Sequence, residues 1–129
     1  MTRTLYLAVY SNGRKPAHVA VFIPTGDQGD KGKIIHVVGN PATGFFLQFK
    51  RNYDFALDNR KYQIITLATV DDRLAKDTVG NGEPTEDTIA RDRLESAATV
   101  VQPPGRTANP FDPAVGVFFI TSLTIWTLN

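Results

Sequence analysis

The chain has 129 residues, of which 42% are hydrophobic, so its size and composition suit one domain with a sizeable core. Its 14 basic and 13 acidic residues give a formal net charge of +1, which provides no electrostatic reason to expect nucleic acid or an anionic membrane as a partner. The absence of cysteine excludes disulfides, thiolate zinc sites and cysteine nucleophiles. No apolar run approaches the length of a membrane span, and the apolar stretch at Leu5–Tyr10 is too short for a signal-peptide core. We therefore expect a cytoplasmic protein with a single domain over residues 1–129.

Five runs rich in β-branched and aromatic residues predict five strands in the first part of the chain. Turn residues separate these runs, including a polar, glycine-rich loop between Pro24 and Lys33. The predicted strands are Leu5–Tyr10, His18–Ile23, Ile34–Val38, Phe45–Arg51 and Tyr62–Val70.

The pattern changes to a helical period in the second part of the chain. The stretch Pro84–Asp87 is typical of a helix start with acidic residues in its first turn, and Pro103-Pro104-Gly105 is typical of a stop. Between them, apolar residues recur on one helical face at Ala90, Leu94, Ala97, Ala98 and Val101. The sequence predicts an α+β fold: a curled, mostly antiparallel sheet of five to six strands with one principal helix at about 85–101.

The two histidines of the chain lie on neighbouring predicted strands. His18 opens the second strand and His36 lies within the third. Two imidazoles in this relation suggest a site in which one moves a proton and the other fixes its tautomer, so we take His18 and His36 as candidate catalytic residues. The alternative is that both are ordinary strand histidines with no chemical role.

The histidine strands also carry a resemblance to a known superfamily. The stretch His18–Ile23 matches a phrase of histidine, one residue, a small residue and an apolar strand, and His36 follows on the next strand. In this the chain resembles the circularly permuted papain-like superfamily, which includes the lecithin retinol acyltransferase group and permuted relatives of NlpC-type peptidases. Leu5–Tyr10, His36–Pro41 and Gly44–Phe46 resemble small uncharacterised fungal proteins of this type.

This resemblance covers residues 4–70 and implies a cleft beside the histidines, with a cysteine at the start of a C-terminal helix. The corresponding region here, Thr121–Trp126, contains no cysteine. Local propensity in Val117–Leu128 favours a strand, whereas the family pattern implies a helix. Because this segment is strongly apolar, we expect it to be buried within the domain or in a homodimer interface through Val117–Trp126.

Three functions follow from a papain-like scaffold without its nucleophile. The first is a pseudo-hydrolase that binds a small molecule or a peptide in the old cleft. The second is an enzyme without covalent catalysis, such as an isomerase, cyclase or lyase of specialised metabolism, that uses His18 and His36 for acid–base chemistry. The third is a homo-oligomeric interaction module. We favour binding.

A ligand in this cleft would contact aromatic residues and one amide. We expect Tyr10, Asn40, Phe46 and Tyr53 to be the ligand-binding residues. Phe45 and Phe46 are adjacent in a strand and must point to opposite faces, so one of them leaves the main core. The spacing from His18 to His36 fits no local metal motif, and we expect no metal and no cofactor.

Overall fold

The computed structural model describes residues 1–11, 18–40, 42 and 44–100. They form an open antiparallel sheet with the strand order β5-β1-β2-β3-β4-β6, and one α-helix follows the last strand. The elements are β1 (Thr2–Tyr10), β2 (His18–Pro24), β3 (Lys31–Asn40), β4 (Gly44–Asp54), β5 (Tyr62–Asp71), β6 (Thr85–Asp87) and α1 (Arg93–Val100).

The α+β fold and the five predicted strands are confirmed, and β6 supplies the sixth strand. The start predicted for the helix is wrong, because Thr85–Asp87 pairs with β4 and α1 begins only at Arg93. The acidic residues that suggested a helix start lie instead beside basic residues of β4, with Glu86 directly opposite Lys50. Opposite charges in such cross-strand positions favour the extended pairing.

A local cap explains where α1 begins. The Asp92 side chain accepts a hydrogen bond from the Glu95 backbone N–H at 2.7 Å, and the Glu95 side chain accepts one from the Arg91 N–H at 3.0 Å. Together these contacts resemble a capping box, which satisfies backbone donors that the first helical turn leaves without partners. The described part of the chain contains no helix with the length and hydropathy of a bilayer span.

The helix covers one face of the sheet, which we call the helix face. Alternate residues of the strands form its core together with three buried residues of α1, because successive side chains of a strand point to opposite faces. The main members of this core are Leu5, Val21, Ile35, Phe49, Val70, Leu94, Ala97 and Ala98. Phe45 packs against this core, whereas Phe46 points away and is 57% exposed, as predicted.

A cluster of buried charges joins the sheet to α1 on the helix face. Glu95 accepts from Lys33 Nζ at 2.8 Å and from Arg51 Nη1 at 2.5 Å, and its own side chain is fully buried. Lys33 also pairs with Asp92, and Arg51 pairs with Asp87 at 3.0 Å. Burial alone would raise the pKa of Glu95, but hydrogen bonds from Arg51 and Lys33 outweigh burial and hold the pKa below its usual range.

The opposite face of the sheet, which we call the ring face, is covered by aromatic side chains. Ala8 and Ala20 lie directly opposite each other at its centre and are fully buried. Phe55, just after β4, packs edge-on against Phe22 with ring centroids 4.7 Å apart.

The hydroxyls of Tyr10 and Tyr53 meet at 3.1 Å, although β2 and β3 lie between the strands that carry them. In a flat sheet the axes of β1 and β4 would be about 14 Å apart and their side chains would stand perpendicular to the sheet. A contact between the two hydroxyls therefore indicates the predicted curl.

The substitution Glu95→Gln tests the buried charge cluster. It leaves Lys33 and Arg51 buried without their shared carboxylate, and removing one partner from a buried ion pair is strongly destabilising. We expect the free energy of unfolding, measured in urea at pH 7, to fall by about 3 kcal/mol. Arg73→Ala is the control because its ion pair with Asp71 lies at the surface, and it should leave the urea midpoint unchanged. Equal effects of the two substitutions would contradict this role for Glu95.

Candidate binding site

The structure brings His18 and His36 together on the ring face. In the register of β2 and β3, Val21 lies opposite Ile35, so the alternation of side chains directs both histidines to the same face. His18 Nε2 lies 2.9 Å from His36 Nδ1, and the two rings meet edge to face with centroids 5.1 Å apart. His36 is buried, whereas His18 is half-buried and stays accessible to solvent.

The hydrogen bonds continue from His36 to the edge of the sheet. Gln48 lies opposite His36 in the pairing of β3 and β4, and its Oε1 is 2.8 Å from His36 Nε2. The amide Nε2 of Gln48 donates to Glu86 Oε2 at 3.2 Å. The four side chains His18, His36, Gln48 and Glu86 form a continuous series, which we call the imidazole chain.

Both imidazoles are neutral at physiological pH. Burial lowers the pKa of His36, the hydrogen bond with Gln48 opposes this effect and the neighbouring His18 adds to it, and together they bring the pKa to about 4. Burial also lowers the pKa of His18, as do the positive charges of Arg60 and Lys50. A neutral imidazole carries one N–H donor and one acceptor nitrogen, so each ring has a defined direction.

A second group of polar side chains borders His18. The Tyr10 ring lies 5.7 Å from the His18 ring, and the Tyr10 hydroxyl donates to that of Tyr53. Tyr53 in turn donates to Asp58, which pairs with Arg60 at 2.7 Å. The Arg60 guanidinium lies 4.2 Å from the centroid of the Tyr10 ring, a cation–π contact that closes the group.

The ionised form of Asp58 is strongly favoured in this group. Hydrogen bonds from Arg60 and from Tyr53 hold the pKa of Asp58 below its usual range, against the effect of burial. Burial raises the pKa of Tyr10, with a further contribution from its hydrogen bond to Tyr53, so this phenol stays protonated.

An open depression of about 440 Å³ adjoins the second group. Its walls include Tyr53, Leu57, Asp58, Arg60 and Pro84. Tyr53, Asp58 and Arg60 are therefore shared between this depression and the polar group beside His18. The depression does not include the imidazoles in its lining, so it extends the site on the Arg60 side and does not contain the imidazole chain.

The other residues predicted to bind a ligand lie farther along the hairpin of β3 and β4. Phe46 is opposite Val38 and exposed, two residues from Gln48 on the same strand. The backbone of Asn40 ends β3 opposite Gly44. Of the four predicted contacts, Tyr10 thus lies beside His18, Tyr53 is hydrogen-bonded to Tyr10, and Phe46 and Asn40 lie toward the hairpin end. The segment Val117–Trp126, predicted to form an interface, lies outside the described residues.

Sequence reasoning did not identify Gln48, Glu86, Asp58 and Arg60 as parts of this region. Gln48 carries a usable signal, because a polar residue on an apolar strand two positions from Phe46 shares its face. The other three lie in loops or on the strand that was predicted to be helical, where no periodicity places them. Among residues 1–11, 18–40, 42 and 44–100, no group of three potential metal-ligating side chains comes together.

Fold and site together define an α+β protein with an open antiparallel sheet and a hydrogen-bonded pair of imidazoles on one face. Over residues 5–128 the chain matches the model of a family described as "Family of unknown function (DUF6540)". Since this match spans nearly the whole sequence, the chain belongs to that family. Comparisons with curated proteins and with solved structures gave no match.

The lowered pKa of His36 predicts a loss of stability in mild acid. Between the usual pKa of 6.5 and the value of about 4 in the folded protein, the unfolded chain binds more protons, so the free energy of unfolding falls as pH falls through this window. We expect His36 to account for a loss of roughly 3 kcal/mol by pH 4.

Urea unfolding between pH 7 and pH 4 measures this loss, with His36→Gln as the control that keeps a polar side chain but cannot titrate. The difference between the two proteins isolates His36 from the carboxylates that protonate in the same range. Parallel pH profiles would show that the pKa of His36 is not lowered in the folded state.

Proposed function

We propose that this protein binds a small molecule or a peptide on the ring face, through a hydrogen bond to His18. The observation that carries the proposal is the bonded imidazole pair, 2.9 Å apart, in which one ring is buried and the other is accessible. A polar group that is fixed by the protein and still reachable by solvent is the kind of group that orients ligands in binding sites.

The position of His18 leaves one ring nitrogen for a ligand. His18 uses Nε2 for His36, so Nδ1 is the nitrogen that a ligand can reach, and among the described residues it has no hydrogen-bond partner. The bond to His36 and the packing against the Tyr10 ring restrict the rotation of His18. A ligand that binds Nδ1 therefore does not have to order this side chain, which reduces the entropic cost of binding.

The electrostatics favour binding over acid–base catalysis. A general base works best when its pKa lies near the working pH, whereas burial and the charges of Arg60 and Lys50 lower the pKa of His18. Such an imidazole is a weak base but a good neutral hydrogen-bonding group.

Acid–base catalysis is a second candidate because the imidazole chain ends in the Glu86 carboxylate. A carboxylate that acts through intervening groups can orient a histidine that accepts a proton. In such an enzyme His18 would be the base and His36 would fix its orientation. This candidate predicts a bell-shaped pH dependence of the rate, whereas a binding protein loses only affinity on His18→Ala.

Other parts of the proposal come from the sequence. We propose that the site descends from a thiol-dependent papain-like cleft, since the histidine strands resemble those of that superfamily and the sequence has no cysteine. We also propose a cytoplasmic location. The balanced charge supports the further proposal that neither nucleic acid nor a membrane is a partner. A homodimer through Val117–Trp126 stays a prediction.

An NMR screen with the folded protein tests binding on the ring face. Small fragments that carry hydroxyl or amide groups are added to protein labelled for observation of the histidine ring signals. We expect fragments that bind to shift the His18 signal, and His18→Ala to weaken their binding about tenfold, as expected for loss of one hydrogen bond. Gln63→Ala, at an exposed position of β5, is the control and should leave affinity unchanged.

The same binding should weaken in acid, because protonation of His18 removes its acceptor nitrogen. The fall begins below the usual histidine pKa of 6.5, since burial, Arg60 and Lys50 lower the pKa of this ring. The other charged or titratable groups near it are His36, Tyr10 and Glu86 through the imidazole chain. Fragments that bind without affecting the His18 signal, or with equal affinity to His18→Ala, would refute the proposed site.

A further inference from the structure

We infer that Glu86 sets the direction of the whole imidazole chain, so that His18 presents Nδ1 as an acceptor and the ligand must bring a hydroxyl or an N–H group. Glu86 and Gln48 are then positioning residues, which act on the ligand only through the two histidines. The tautomers follow from the hydrogen-bond geometry of two neutral rings, whereas the statement about the ligand rests on the proposed function.

The Glu86 carboxylate determines the orientation of the Gln48 amide. The Glu86 carboxylate at neutral pH offers only acceptors, and it lies 3.2 Å from the amide Nε2 of Gln48. Turning the amide over would bring its carbonyl oxygen against the carboxylate, two acceptors at hydrogen-bond distance. Glu86 therefore holds the Gln48 NH₂ group toward itself and directs the carbonyl oxygen toward His36.

The Gln48 carbonyl oxygen determines which nitrogen of His36 carries the proton. The Gln48 carbonyl oxygen lies 2.8 Å from His36 Nε2 and can only accept, so Nε2 carries the proton. His36 is buried and neutral, so its other nitrogen, Nδ1, is an acceptor. This nitrogen is the one that faces His18.

The contact with His36 in turn determines which nitrogen of His18 carries the proton. Since His36 Nδ1 accepts, His18 Nε2 must donate across the 2.9 Å contact, and the neutral His18 ring keeps its lone pair on Nδ1. Every donor in the chain thus points away from His18 and toward Glu86. Reversing any one bond would require the reversal of all of them, because each neutral ring has one donor and one acceptor.

This direction defines the chemical class of the ligand group at His18. An alcohol, a phenol or an amide N–H donates a hydrogen bond to Nδ1, whereas an ether or a ketone places a second acceptor against it. Sites that are built to hydrogen-bond a donor discriminate strongly against analogues that lack the donor, because the buried polar group then has no partner.

The experiment measures the histidine tautomers in the ligand-free protein from long-range proton–nitrogen NMR correlations, which distinguish protonated from unprotonated ring nitrogens. We expect both rings to be protonated at Nε2 in the native chain. Glu86→Lys places a donor where the acceptor was, so the Gln48 amide should turn over and both rings should become protonated at Nδ1. The side chain of Glu86 is 57% exposed. The new lysine faces Lys50, so the pairing of β6 rests on Asp87 with Arg51, and backbone amide shifts of Thr85–Asp87 check that β6 stays paired.

Two further variants make the result specific. Glu83→Lys makes the same change of charge at an exposed residue nearby and should leave the tautomers as in the native chain. The double variant Gln48→Glu with Glu86→Lys places a carboxylate against His36 and pairs it with the new lysine, and it should restore protonation at Nε2. Tautomers that do not change in Glu86→Lys, or that the double variant fails to restore, would overturn the inference.

Binding of phenol compared with its methyl ether, anisole, tests the ligand class. We expect phenol to bind the native protein at least tenfold more tightly than anisole, and Glu86→Lys to abolish this preference. If the tautomers are as inferred and neither compound shifts the His18 signal, the proposed function fails and the role of Glu86 stands. If phenol binds at His18 but the tautomers are reversed, the role of Glu86 fails and the binding site stands.

Discussion

Lys33 and Arg51 reach from β3 and β4 to the same buried carboxylate, that of Glu95 in α1, and thereby hold the two strands in one register. The rest of the structure depends on this register because each face of the sheet carries its own cluster of buried side chains. A shift by one residue would turn the charged side chains to the ring face and the imidazole of His36 toward the helix. Such a shift would leave buried charges without partners, which is among the most costly changes that a fold can undergo.

The short edge strand β6 contributes one acidic side chain to each face of the sheet. Its neighbouring residues Glu86 and Asp87 point to opposite sides of the sheet, as successive residues of a strand must. Asp87 pairs with Arg51 on the helix face, and Glu86 accepts from Gln48 on the ring face. The charge cluster that anchors α1 therefore also positions the carboxylate at the end of the imidazole chain. A local sequence of three residues links the stability of the fold to the geometry of the site.

The sequence was sufficient to predict strands β1 to β5 from their runs of β-branched and aromatic residues. It also predicted the histidine pair, which follows from the alternation of side chains along β2 and β3. It was insufficient for β6, since Pro84 and the acidic residues after it satisfy the local rules for a helix start. What decides their structure is the nonlocal pairing of Glu86 and Asp87 with Lys50 and Arg51, which no local pattern contains. Asp58 and Arg60 were not predicted for a related reason, because they lie in a loop and Arg60 meets Tyr10 only through a nonlocal contact.

A half-buried histidine is usually a compromise between solvation and packing, and here the surroundings of His18 favour its neutral form. Two cations, Arg60 and Lys50, lie close enough to oppose protonation, and the bond to His36 gives the neutral ring a partner that suits it. A site designed to move protons would reverse this arrangement and place a carboxylate directly against the ring, as in catalytic triads. In this protein the side chains of His36 and Gln48 lie between the Glu86 carboxylate and His18, so the carboxylate makes no direct hydrogen bond to the His18 ring. This arrangement of charges around His18 is the basis on which we propose that the ring face serves recognition, with a neutral acceptor that selects a ligand by the donor the ligand carries.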